Sequence, residues 1–144
     1  MKKILVIGAS GFLGRHVTRG LLAAGYVVRC LARNLARVED LAAAGCEVVQ
    51  GDISDFASIE RALASVEAVY ICIHTLSPQP ASTPGQGFMD VERHGLENIV
   101  AACRTNGVRR LIYVTFLGIS PDRQARGCVN VGEPNSFCCT AAWS

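Results

Sequence analysis

The chain has 144 residues, 50% of them hydrophobic and 18% charged, which suits one domain with a sizeable core and excludes global disorder. Its net charge of +2 gives no reason to expect nucleic acid or an anionic membrane as a partner. No apolar run approaches the roughly 18 residues of a membrane span, and the short N-terminal apolar stretch, broken by Gly8 and followed by Arg15, does not read as a signal peptide.

Residues 3–7, KILVI, form a continuous apolar run and predict a strand buried on both faces. From Phe12 onward Leu13, Val17, Leu21 and Ala24 recur at helical spacing, with Gly25 as the stop. Residues 26–32, YVVRCLA, predict strand two. Residues 34–45 predict a helix capped by Asn34, with Leu35, Val38, Leu41 and Ala42 on one face. Residues 46–50 predict strand three. Residues 55–66 predict a helix capped by Asp55, with Phe56, Ile59, Leu63 and Val66 on its stripe. Strand four is expected over 67–73, a Pro/Ser/Gly-rich loop over 74–87, a long helix over 88–107 and strand five over 109–118.

This alternation predicts an α/β fold, a doubly wound parallel sheet of about five strands in the order 3-2-1-4-5 with helices on both faces. Residues 1–118 are read as the domain and residues 119–144 as an irregular tail, because apolar periodicity stops there. Cys30, Cys72 and Cys103 fall in apolar periodic segments and are expected as buried, reduced thiols of a cytoplasmic protein. No CxxC or Cys/His spacing suggests a metal.

Ligands of such sheets sit beyond the carboxyl ends of the strands, where the strand order reverses. Here that place is marked by the GASGFLG turn, residues 8–14. Gly8 permits a sharp turn, Gly11 leaves room for a phosphate against the backbone, and Gly14 lets the helix approach the strand. The amides of the first helical turn, at Phe12, Leu13 and Gly14, and the positive end of the dipole face the phosphates. Ser10 can add a hydroxyl. The alternative is three ordinary loop glycines. Their position between an apolar strand and an amphipathic helix favours nucleotide binding.

The GxxGxxG spacing resembles the fingerprint of the short-chain dehydrogenase/reductase superfamily, in its extended and atypical branches. The stretches VVRCLARN, GCEVVQGDISDFASIERALASVEAVYICI and ENIVAACRTNGVRRLIYVTFLG resemble an NmrA-like NAD(P)-binding or epimerase/dehydratase-like member, in unbroken order over roughly residues 1–120. The resemblance implies a Rossmann fold and a dinucleotide cofactor. An acidic residue ends strand two in NAD-preferring members; here Ala32 is followed by Arg33, which suits the 2'-phosphate of NADP. NADP(H) is therefore favoured over NAD(H), with Arg15 as a further candidate cation. Both arginines also read as plain solvated residues. Asp52 matches the family's acidic contact to the adenine amino group, with Ile53 beside the ring; its alternative is a turn cap. Ile73 and His74 are expected along the cofactor's ribose, His74 equally as a loop residue without a specific contact.

The superfamily's redox chemistry resembles general acid–base catalysis by a YxxxK pair. Tyrosines occur at Tyr26, Tyr70 and Tyr113 and lysines only at Lys2 and Lys3, so no such pair can be written. No catalytic residue is assigned; Thr115 is a weak candidate. The expected function is the NAD(P)(H)-binding domain of an oxidoreductase or sugar-nucleotide epimerase lineage, acting on an unassigned small molecule. Alternatives are a non-catalytic dinucleotide-sensing regulator and an inactive fragment, the family pattern being apparently interrupted after strand five. An unpaired strand-five edge would favour a homodimer.

Overall fold

A computed structural model describes residues 2–73, 88–114 and 141–142. Five parallel strands carry the architecture: β1 (Lys3–Ile7), β2 (Val27–Ala32), β3 (Glu47–Gln50), β4 (Ala68–Ile71) and β5 (Arg110–Tyr113). Between them lie α1 (Phe12–Ala23), a 3-10 turn (Leu35–Val38) leading into α2 (Glu39–Ala43), α3 (Phe56–Leu63) and α4 (Phe88–Thr105). With the two-residue β6 (Ala141–Ala142), the sheet order is β3-β2-β1-β4-β5-β6. The parallel part has the expected 3-2-1-4-5 order.

The apolar run of β1 is buried because it lies at the centre of the sheet, paired with β2 on one side and β4 on the other. Its side chains alternate between two cores. Leu5 and Ile7 join Leu31, Val69, Ile71, Ile59, Leu63, Leu96 and Ile99 under α3 and α4. Val6 joins Val28, Cys30, Ala32, Val38 and Leu41 under α1 and α2. Helices thus cover both faces, as the alternation requires.

Cys30, Cys72 and Cys103 are buried, as their periodic settings imply, and so is Cys46. The sulfurs of Cys30 and Cys46 lie 2.9 Å apart in the core beneath α1 and α2, and the Thr18 hydroxyl is 3.8 Å from Cys30.

Four local expectations need correction. The helix over 34–45 is broken: Asn34 accepts from the Ala36 amide at 3.0 Å and starts a 3-10 turn, which passes to α2 at Glu39. Leu35 and Ala42 are exposed rather than inward-facing. Phe56, the first residue of α3, is also exposed. Val66 is buried as expected but lies past the helix, which ends at Leu63; Ser65 turns the chain with φ of 63°. Separately, Ala141 and Ala142 pair antiparallel with Leu111 and Arg110 along the β5 edge. The rest of 115–144 lies outside the described residues.

Candidate functional site

The carboxyl ends of β1, β2, β3 and β4 meet at one rim of the sheet, and three glycines shape its centre. Gly8 has φ of +87°, a region that strongly favours glycine. It is also pressed by the end of β4: a Cβ there would lie 2.6 Å from the Cys72 carbonyl oxygen and 3.2 Å from the Ile73 nitrogen. Gly14 is buried in the first turn of α1, where a Cβ would lie 2.1 Å from the Gly8 carbonyl oxygen. The helix therefore rests directly on the turn.

Gly11 is different. Its backbone is extended, with φ of −81° and ψ of 169°, which any residue adopts. A Cβ there would meet only the Gly8 carbonyl oxygen, at an ordinary 3.5 Å. Neither conformation nor internal packing asks for glycine at this position. Gly11 is also the N-cap of α1 and has no side chain to accept from the first turn. The amides of Phe12, Leu13 and Gly14 belong to that turn, whose donors have no acceptor within the helix. Together with the positive end of the helix dipole, such donors favour an anionic acceptor.

The side chains around the turn have separate tasks. Ser10 is half-buried within it, and Leu13 packs on the core under α1 and α2. Phe12 is 83% exposed and its ring lies 4.5 Å from that of His16, so the backbone amide is what this residue brings to the turn. Arg15 is not turned to the site: its guanidinium pairs with Asp40 and donates to the Arg37 carbonyl, tying α1 to α2. Arg19 joins the same carboxylate at 3.0 Å. These bonds, that of Arg15 first, hold the Asp40 carboxyl below the usual carboxylate range.

The second part of the site is an open cleft of about 370 Å³ beyond β2 and β3, lined by Arg33, Gln50, Gly51, Asp52, Asp55 and Ser58. Because β2 and β3 are neighbours, Arg33 and Asp52 face each other, with Nε and Oδ2 3.9 Å apart. The arginine side chain remains 71% exposed, so it is anchored at one side and open to a ligand at the other. The other Asp52 oxygen, Oδ1, accepts from the Ser54 amide at 2.9 Å and the Ser54 hydroxyl at 2.8 Å. Asp52 thus caps the turn, its alternative reading, and still presents a carboxylate edge to the cleft. Ile53 and Ile73 are half-buried and pack on the core under α3 and α4.

Four lining residues were not legible as site residues. Gln50 donates to the Arg33 carbonyl at 3.4 Å. Gly51 leaves room for α3, since a Cβ there would lie 2.5 Å from that of Ser58. Asp55 caps α3 by accepting from the Ala57 amide at 3.2 Å, and it also accepts from the Ser58 hydroxyl. The Ser58 bond is the main reason the Asp55 carboxyl lies below its ordinary range. The run GDISD carries Gly51 and Asp55, but Gln50 and Ser58 lie outside it. His74 and Thr115 lie outside the described residues. Among the described residues no group of three or more His, Cys, Asp or Glu is placed to hold a metal ion. No described helix is long and apolar enough to cross a membrane.

Residues 8–135 match a family model described as NAD(P)H-binding. The chain belongs to the NAD(P)H-binding family. Within it the chain groups with the extended short-chain dehydrogenase/reductases of NmrA-like type. It is 34% identical over 113 residues to 2-alkyl-3-oxoalkanoate reductase of Stenotrophomonas maltophilia, covering 78% of this chain and 33% of the relative. It is 34% identical over 114 residues to photosystem II assembly factor Ycf39 of Cyanophora paradoxa, covering 79% of this chain and 34% of the relative. Among solved structures, the NADPH complex of an NADPH-dependent quinone oxidoreductase from Escherichia coli superposes with a TM-score of 0.61. The two are 28% identical, and the match covers 76% of this chain and 35% of the other. The chain thus spans about a third of the length of the curated relatives it matches. It is an NAD(P)-binding Rossmann domain of a reductase and epimerase family.

Proposed function

We propose that this chain seats NADPH in preference to NADH, as the cofactor-binding part of a reductase or epimerase of this family. The observation that carries the reading is Gly11: glycine stands where the protein's own backbone and packing tolerate a side chain, beside an uncapped helix start. A pyrophosphate at that place supplies the missing reason. It would accept from the amides of Phe12, Leu13 and Gly14, with the Ser10 hydroxyl beside them. The adenosine would extend over the turn after β3, with Asp52 accepting from the adenine amino group and Ile53 against the ring. Arg33 would pair with the 2'-phosphate, as β2 ends in Ala32 without a carboxylate to hold a ribose hydroxyl. Ile73 and His74 would follow the ribose toward the nicotinamide, which supplies hydride chemistry when bound.

A second reading, binding without turnover, has its own support. Lys3 is paired with Glu47 at 2.9 Å, at the amino end of β1 and far along the strand from Gly8. Tyr70 and Tyr113 are half-buried within strands and pack on opposite cores. So placed, Lys3, Tyr70 and Tyr113 supply no proton-donating pair beside the cofactor, which supports this reading. A dinucleotide-sensing role needs only the binding surface described above.

Titration of the full chain with NADPH and with NADH, followed by nicotinamide fluorescence, tests the main reading. Saturable binding of both, tighter for NADPH, is expected. Folded protein that binds neither dinucleotide would overturn it.

A further inference from the structure

The turn that carries Asp52 and Ile53 has few contacts of its own. Besides the two Ser54 bonds to Asp52 Oδ1, the Asp55 amide donates to the Asp52 carbonyl at 3.1 Å. All of these are local. Toward the body of the domain, the exposed Arg33 faces Asp52 Oδ2 at 3.9 Å and Ile53 packs on the core, while α4 holds the backbone of Ile53 and Ser54. The Asn98 side-chain amide donates to the Ile53 carbonyl at 3.0 Å and to the Ser54 carbonyl at 3.4 Å. One turn earlier on the same helix, a Cβ on Gly95 would lie 2.4 Å from Ile53 Cδ1. The helix therefore receives the Ile53 side chain where Gly95 leaves space and holds its carbonyl through Asn98.

From this we infer that Asn98 is a positioning residue for adenine recognition: it sets the turn so that the Asp52 carboxylate and the Ile53 side chain meet the base. It does so without touching the cofactor, and the inference rests on the adenosine reading of Asp52 and Ile53 given above. Asparagine suits the task because its amide has two N–H donors, matching the two consecutive carbonyls. Aspartate has nearly the same shape but directs carboxylate oxygens at those carbonyls and leaves them without donors. The turn then shifts away from α4, and the carboxylate of Asp52 moves with it.

The test compares NADPH with its hypoxanthine analogue, in which the base amino group is replaced by a carbonyl. That amino group is the donor Asp52 would receive. The unsubstituted chain should prefer NADPH by about tenfold, the scale of one lost hydrogen bond with an acceptor turned on a carboxylate. In Asp52→Ala the preference should fall to within about twofold. In Asn98→Asp, and in Asn98→Ala as the variant that places no charge there, the same loss of preference is expected in protein that stays folded by circular dichroism. A purely structural role for Asn98 would instead weaken both ligands alike and keep their ratio. If Asp52→Ala abolishes the preference while both Asn98 variants retain it, the inference about Asn98 is overturned and the adenine reading stands. If wild type shows no preference, or Asp52→Ala keeps it, the adenine reading itself fails and the role of Asn98 goes with it.

Discussion

Gly14 sits directly on the carbonyl of Gly8, so close that a Cβ on Gly14 would come within 2.1 Å of that oxygen. The obstacle is backbone, which cannot rotate aside as a side chain would. Gly14→Ala must push α1 away from the turn and is expected to cost at least about 2 kcal/mol in urea denaturation. Gly20, on the same helix, is the control: nothing lies within 4 Å of its absent Cβ, and Gly20→Ala should stabilise by about 0.5–1 kcal/mol. Equal effects at the two positions would contradict the packing described.

Arg33 should decide between the two dinucleotides. Arg33→Ala removes the cation held 3.9 Å from Asp52 and leaves that carboxylate facing a 2'-phosphate alone. NADPH affinity is expected to fall by about tenfold or more, with NADH changed less than about threefold. The loss should shrink at high ionic strength, because the arginine is exposed. Parallel losses for both cofactors would assign the 2'-phosphate to another group.

Glu47 gives the chain an acid-side sensitivity. Lys3 donates to it at 3.0 Å and Arg29 at 2.9 Å, and the Lys3 bond is the first cause holding its carboxyl below the ordinary range. A depressed folded value means that the unfolded chain binds the proton more readily. The stabilisation is therefore complete above the unfolded value of about 4.3 and is lost as pH falls through the lower folded value. Glu47→Gln should flatten the fall of unfolding free energy below about pH 4.3 and leave its pH 7 cofactor affinity unchanged. An unaltered acid slope would show that the pair is too well solvated to matter.

Burial should silence two thiols. It pushes the Cys72 thiol up to about 11 and the Cys103 thiol up to about 12. The thiolate is the nucleophile, so little of either is reactive at pH 8. Iodoacetamide at that pH, read by peptide mass spectrometry, should label both only after denaturant is added. Equal labelling rates in folded and unfolded chains would place these residues outside a stable core.

The fold was legible because each strand's apolar run and each helix's stripe reported the layer it covers. Central β1 reads as unbroken KILVI since both of its faces are buried. The errors have a physical origin. Leu35, Val38 and Leu41 are spaced by three, which fits a 3-10 turn as well as an α-helix, so periodicity could not reveal the change at Glu39. Phe56 looked like a core residue by type, but as first residue of α3 it lies before the helix reaches its packing neighbours. In the site, Gly8 and Gly14 were readable from spacing, and the facing of Arg33 and Asp52 follows once β2 and β3 are adjacent. Asn98 was not readable: its bonds go to backbone carbonyls 45 and 44 residues away, and backbone acceptors leave no trace in side-chain identity.

Gly11→Val probes the pyrophosphate seat itself, with NADPH binding by calorimetry and thermal unfolding measured on the same sample. The extended backbone and open space at this position accept the side chain, so stability should change by no more than about 0.5–1 kcal/mol, the loss of a glycine cap. Affinity for NADPH should fall by at least about a hundredfold, because the isopropyl group fills the approach to the first-turn amides. A folded Gly11→Val protein that binds NADPH as wild type does would contradict the account.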